Sequence, residues 1–289
     1  MQQDLANADC ILIQGSNMAE CHPVGFQWVM EAKARGATVI HVDPRFTRTS
    51  ALADLHVPLR AGSDIVFLGG IINYVLANEK YFRDYVVAYT NAAVILTDEF
   101  QDTEDLDGVF SGLDAEAHRY DLSAWSYQGT MMRAAAGARG APYPGPSGAP
   151  QVAESLEHPG CVFQAVKRHF ARYTPEVVEQ ACGVPPDVFG RVCELLTANS
   201  GRDRTSAFVY SVGWTQHTVG VQYIRTAAIL QALLGNIGRP GGGMMAYAVM
   251  PRSRGPPTSP PCSTCCPATC RCRRRERTRT WTATSAMSR

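Results

Sequence analysis

Three short polar turns, each closing an apolar run, carry the residues best suited to chemistry. Gly15-Ser16-Asn17 follows Cys10-Ile11-Leu12-Ile13. Asp43-Pro44-Arg45 follows Ala37-Thr38-Val39-Ile40-His41-Val42, and Gly213-Trp214-Thr215-Gln216-His217 follows Ala207-Phe208-Val209-Tyr210-Ser211. A glycine with two small polar residues at a strand end lets backbone N–H groups meet an anion. An acid about 20–30 residues further on, the place of Asp43, commonly accepts hydrogen bonds from ribose hydroxyls. Arg45 and Arg48 can reach a phosphate, and equally can sit as a solvated pair. His22 and His217 are of the type that moves protons, but neither has a visible partner, so the expected reading is satisfied polar histidines. Gly15-Ser16-Asn17 is not G-x-G-x-x-G, which counts against an NAD-dependent dehydrogenase. No Cys/His spacing before residue 250 suits zinc or an iron–sulfur cluster.

Such turns need a parallel sheet to hold them. The apolar runs are short and partly β-branched, as buried parallel strands are. Between the first two, Pro23 to Arg35 reads as a helix, with Pro at its first position and Gly36 just past its end. Strand, turn, helix and strand make a βαβ unit, and ligands of such sheets sit at the carboxyl ends of the strands. His56 to Leu59 is a further strand candidate. Ser63 or Asp64 can cap a helix running to about Asn78, with Ile65, Leu68, Ile72 and Leu76 on one face. Tyr81 to Tyr89 is amphipathic, and a polar stretch of weak periodicity follows. Gly137 to Pro150, rich in Gly and Pro, reads as an exposed loop or insertion. Helices are expected over Cys161 to Arg172, Thr174 to Gly183, Pro185 to Ala198 and Val219 to Leu234. The class is α/β.

At 289 residues and 45% hydrophobic, the chain can bury a sizeable core. No apolar run approaches the roughly 20 residues that span a bilayer, and the acidic, weakly apolar opening MQQDLANADC is not a signal peptide. Charge is split: from Arg252 onward there are nine Arg and one acid, Glu276, against 18 basic and 25 acidic side chains before it. Cys10, Cys21, Cys161, Cys182 and Cys193 are scattered and read as small buried hydrophobes. Five more cysteines crowd the tail.

Beyond these signals, GSNMAECHPVGFQWVMEAKARGATVIHVDPRFTRTSALADLHVPLRAGSD resembles the molybdopterin guanine dinucleotide oxidoreductases, in particular the catalytic alpha subunits of respiratory formate dehydrogenases. NEKYFRDYVVAYTNA, RYTPEVVEQACG and SVGWTQHTVGVQYIRTAAILQALLGNIGRPGGG agree with it. The resemblance runs from about Leu5 to Ala246. It implies a Rossmann-like domain, residues 1–246, gripping one guanine dinucleotide arm of a bis-molybdopterin cofactor that carries molybdenum or tungsten. It places Gly15, Ser16, Asn17, Glu20 and His22 on the pterin–pyrophosphate side, and Asp43, Arg45, Gly62 and Asp64 at the guanosine end. The resemblance also implies that Gly213, Thr215 and Gln216 approach the pterin. It further implies formate as substrate of a longer parent, an iron–sulfur beta subunit and a membrane cytochrome gamma subunit as partners, and a periplasmic, membrane-associated location. A non-catalytic nucleotide-binding α/β domain is the alternative.

The family's four-cysteine 4Fe–4S motif and its selenocysteine or cysteine metal ligand do not occur in the sequence. They are expected upstream of Met1, which leaves this chain without a catalytic residue or metal ligand and inactive alone. From Tyr247 to Arg289 the text mixes Arg, Pro, Thr, Ser and Cys without periodicity, so Pro251 to Arg289 is expected to be disordered. The cysteines could suggest a metal site and the arginines a nucleic-acid arm. A change of reading frame near Ala246 is the favoured reading, because a one-base shift can restore the family's LRGH…IQG…D text, active-site Arg included, across Tyr247 to Arg273. No nucleic-acid partner is expected. Gly241-Gly242-Gly243 is expected to lead into a second cofactor-binding region.

Overall fold

The five strands of the main sheet are β1 (Cys10–Gln14), β2 (Thr38–Val42), β3 (Leu55–Val57), β4 (Ser206–Tyr210) and β5 (Gly243–Ala246). They lie in the order β3-β2-β1-β4-β5, and every neighbouring pair is parallel. Cys10 is level with both Thr38 and Ser206, so the ends of β1, β2 and β4 are flush and their three turns face the same edge. The computed structural model describes residues 2–132 and 146–247, all within one compact unit, Met1–Val249. Most of the Gly/Pro-rich loop and the predicted disordered tail lie outside the described residues.

Strand residues alternate between two cores because successive side chains point to opposite faces. Ile11, Ile13, Val39, Ala207 and Val209 pack with Phe26, Val29 and Ala32 of α1 (Pro23–Ala34). Cys10, Leu12, Ile40, Val42 and Phe208 share the larger core with Phe67, Leu68 and Ile71 of α2 (Asp64–Ala77). Beyond α3 (Arg83–Tyr89) that core also takes Phe163 of α4 (Val162–Phe170), Val178 of α5 (Pro175–Cys182), Val192 of α6 (Pro186–Ala198) and Leu230 of α7 (Gly220–Leu233). Helices thus cover both faces, as an all-parallel sheet requires. Helix α5 begins and ends as its sequence signals: Thr174 Oγ1 accepts from Val177 N–H, and Gly183 closes it at φ +72°.

The structure departs from the sequence reading in several places. Strand β3 stops at Val57 rather than Leu59, since Pro58 has no N–H for the ladder. Gly241-Gly242-Gly243 leads into β5, an edge strand of this same sheet that the sequence reading lacked, and the second cofactor-binding region expected beyond it lies outside the described residues. The four residues of β5, two of them methionine, gave no β-branched signal. Tyr247, the first residue of the expected tail, is buried, and its N–H bonds to Tyr210 O at 2.8 Å. Cys10, Cys161, Cys182 and Cys193 are buried thiols, but Cys21 is exposed. Burial pushes the Cys10 thiol up to about 12. The polar stretch after α3 is held by single bridges, Val94 to Val152, Ile95 to Cys161 and Leu96 to Tyr127, which explains its lack of periodicity.

Candidate functional site

Strand order reverses between β1, whose chain moves on to β2, and β4, whose chain moves on to β5. At such a switch point the two connections diverge to opposite sides and leave a crevice at the carboxyl edge. The turns after β1 and β4 line it and touch. Gly213 N–H donates to Gly15 O at 3.1 Å, and a Cβ on Gly213 would lie 2.5 Å from that oxygen. Gly15 itself takes φ +64°. Both glycines are required, one by backbone approach and one by its left-handed conformation.

The crevice opens into a cleft of about 290 Å³ lined by Gly15, Asn17, Val42, Asp43, Pro44, Arg45, Thr47, Ala61, Asp64, Gly213 and His217. Six of the twelve sequence-predicted site residues therefore meet there: Gly15, Asn17, Asp43, Arg45, Asp64 and Gly213. Asp43 is half-buried, and its Oδ1 accepts from the Arg45 N–H at 2.9 Å, closing the Asp43-Pro44-Arg45 turn. The Arg45 side chain is exposed. Asp64 is buried at the start of α2, and one oxygen, Oδ1, accepts from Gln14 Nε2 at 2.8 Å and from Trp214 Nε1 at 3.1 Å. A single carboxylate oxygen thereby ties the ends of β1 and β4 to the helix.

The other six lie off the lining. Ser16 is buried, with its Oγ unpartnered. Glu20 is exposed, braces Asn17 Nδ2 and pairs with Arg48 at 3.4 Å, so Arg48 faces Glu20 rather than the cleft. His22 is half-buried with its ring 5.0 Å from Tyr247, and burial lowers its pKa. Gly62 lies in the exposed turn before α2, its carbonyl accepting from Tyr223 OH at 2.9 Å. Thr215 and Gln216 are exposed at the end of the short helix Val212–Thr215. His217, expected to be satisfied within the fold, is exposed at the cleft and 5.5 Å from the Tyr223 ring.

Two contributors escaped the sequence reading. Gln14 looks like the polar end of a strand, and only the fold brings its amide to Asp64. His41 sits inside an apolar strand and is fully buried; its Nδ1 lies 2.8 Å from Ser50 Oγ and its Nε2 3.2 Å from Ser16 O. Burial lowers its pKa below the ordinary 6.5, outweighing the nearby Asp43 carboxylate. A histidine at an inward strand position was the available signal.

The cleft offers an acid at one strand end, a guanidinium beside it, and backbone donors at a glycine turn. The molybdopterin oxidoreductase family model matches residues 1–258. The chain belongs to that family. It is 46% identical over 244 residues to the formate dehydrogenase-O major subunit of Escherichia coli (strain K12), and 48% over 244 residues to that organism's nitrate-inducible formate dehydrogenase major subunit. To the formate dehydrogenase subunit alpha of Megalodesulfovibrio gigas it is 46% identical over 243 residues. Each match takes in 84% of this chain and 22% of the relative, so this molybdopterin oxidoreductase chain spans about a fifth of the length of the curated relatives it matches. Acetylene hydratase from Pelobacter acetylenicus shares the fold, with a TM-score of 0.50 at 17% identity over 80% of this chain and 22% of that one.

The cleft is compatible with the molybdopterin cofactor of the family. The paired glycines hold the strand ends where any Cβ would intrude, which leaves backbone at the cleft for a ligand to approach. At about 290 Å³ the cleft sits at the lower edge of the roughly 300–1,000 Å³ usual for ligand sites. No helix among the described residues is long and apolar enough to cross a membrane.

Proposed function

We propose that this chain is the segment of a formate dehydrogenase catalytic subunit that holds one guanine dinucleotide arm of a bis-molybdopterin cofactor. The observation that carries the reading is the switch-point cleft: Gly15 and Gly213 in backbone contact at its base, and Asp43 at the next strand end. Asp43 accepts from the ribose of the guanosine, with Arg45 beside it for a phosphate or the base edge. The turn Gly15-Ser16-Asn17 meets the pyrophosphate, and Gly213 lies toward the pterin. Asp64, by contrast, acts from beneath, fixing Gln14 and Trp214, the residues that precede Gly15 and follow Gly213. When bound, the cofactor's molybdenum or tungsten accepts the two electrons of formate oxidation to carbon dioxide. This chain's part is to bind and orient the nucleotide. In the parent the electrons leave through 4Fe–4S clusters to an iron–sulfur beta subunit and a membrane cytochrome gamma subunit on the periplasmic side, as the identity to formate dehydrogenase subunits supports. The division at Ala246, with a frame-shifted tail after it, belongs to the same proposal and is settled by resequencing the locus.

The deciding experiment is Asp43→Ala in the longer parent protein. Metal and pterin content should fall together, formate oxidation should fall in proportion, and the unfolding temperature of the apoprotein should hold. Unchanged metal and pterin content would remove Asp43 from the nucleotide site.

A further inference from the structure

His41 lies one strand away from the glycine turn, at the level of Ile13, and no part of it reaches solvent. Its two nitrogens have different duties. The Ser16 carbonyl at 3.2 Å from Nε2 can only accept, so Nε2 carries the hydrogen. In the neutral ring Nδ1 is then an acceptor, and the Ser50 hydroxyl at 2.8 Å must donate to it. Ser50 Oγ in turn accepts from the Thr47 N–H at 2.8 Å. A directed chain results, from the Thr47 backbone through Ser50 and His41 to the carbonyl of Ser16.

That carbonyl controls the loop beyond it. The Ser16–Asn17 peptide is trans, and in a planar trans peptide the C=O and N–H point in opposite directions. Pulling Ser16 O toward His41 therefore turns the Asn17 N–H away from the sheet. Among the described residues no backbone acceptor meets the Ser16 or Asn17 N–H, and Asn17 lines the cleft. The Asn17 side chain is occupied elsewhere: its Nδ2 donates to Glu20, and its Oδ1 accepts from Thr49 Oγ1 at 2.9 Å. The loop is braced on both sides with its main-chain donor left open.

We propose that His41 is a positioning residue for the nucleotide, its Nε2–H holding the Ser16 carbonyl so that the Asn17 N–H meets the diphosphate. This rests on the nucleotide-arm reading of the cleft. The probe is guanosine 5′-diphosphate, titrated calorimetrically into the full chain and three variants. His41→Gln places an amide N–H near the Nε2 position and should bind within about twofold of the wild type. His41→Asn reaches Ser50 but not Ser16, and should bind about tenfold more weakly, the loss expected for one charge-assisted hydrogen bond. His41→Phe should lose at least as much. A merely structural histidine would let affinity follow unfolding temperature across the three, without the split between Gln and Asn. Because these variants alter a buried site and can fail to fold, hydrogen exchange on the wild type gives a second reading: the Asn17 amide should slow on addition of guanosine 5′-diphosphate. Equal affinity in Gln and Asn variants, or an Asn17 amide that the ligand leaves unprotected, overturns the inference while leaving the nucleotide site standing. A wild-type chain that does not bind guanosine 5′-diphosphate overturns both.

Discussion

The two ends of the parallel sheet make an instructive contrast. At the amino ends of β4 and β5 lies a groove of about 630 Å³, lined by Phe82, Asp84, Tyr85, Tyr89, Arg202, Ile237 and Arg239. It is more than twice the volume of the cleft at the carboxyl ends, and richer in rings and cations. Yet its polar groups are already engaged with one another. Arg202 pairs with Asp84 at 2.7 Å, Arg239 donates to the carbonyls of Gly201 and Arg202, and Tyr85 OH donates to Ile237 O at 2.8 Å. The smaller cleft is lined by a glycine turn whose Ser16 and Asn17 N–H groups meet no backbone acceptor among the described residues. Volume does not distinguish a binding site here; unspent hydrogen-bonding capacity at a topological switch does.

The largest test of that contrast is Gly213→Val. Its Cβ would lie 2.5 Å from the Gly15 carbonyl, so the two turns must part. Binding of guanosine 5′-diphosphate should fall by more than about a hundredfold, with about 3 kcal/mol lost in chemical unfolding. At the other end, Gly238→Ala meets no atom within 4 Å; only its φ of +81° resists, at about 1–2 kcal/mol, and binding should not change. Comparable binding losses at the two positions would abolish the distinction.

Asp64→Leu ranks next. It strands the buried donors of Gln14 and Trp214, and should lower stability by about 3 kcal/mol and nucleotide affinity about tenfold. Asp64→Asn keeps an acceptor and should cost about 1 kcal/mol. If Leu and Asn behave alike in urea titrations, the shared oxygen is not what joins the strand ends. The smallest effect belongs to the amino-end groove. Arg202→Ala removes an ion pair whose side chains are 73% and 70% exposed, so stability should move by less than about 1 kcal/mol. Nucleotide affinity should stay at the wild-type value, and a clear loss would assign the groove a part in binding.

One side of this contrast is legible in the amino-acid sequence. The strand–turn–helix repeats, the cap at Thr174, the glycine at position 183 and the acid at position 43 are local signals, set by chain conformations spanning a few residues. They locate three turns and assign them to one edge of a parallel sheet. Asp64 is legible as a residue of the site but not in its role. In the sequence it is a helix-cap candidate that the family resemblance puts at the guanosine end, and the bonds of its Oδ1 to Gln14 and Trp214, 50 and 150 residues away, come only with the fold.

The sequence by itself determined most of the elements, the α/β class and the residue types offered at each turn, because periodicity, capping and turn chemistry are short-range; the family it showed through the resemblance of long stretches. Only the tertiary structure decided the order β3-β2-β1-β4-β5 and the place of Gly243–Ala246 within it. It also decided that Gly15 and Gly213 touch, and that His41 reaches past its own strand to the carbonyl of Ser16. These depend on strands paired across nearly 200 residues, and on which buried donor finds which acceptor. No local pattern encodes that choice; the requirement that buried polar groups be satisfied imposes it once the chain is packed.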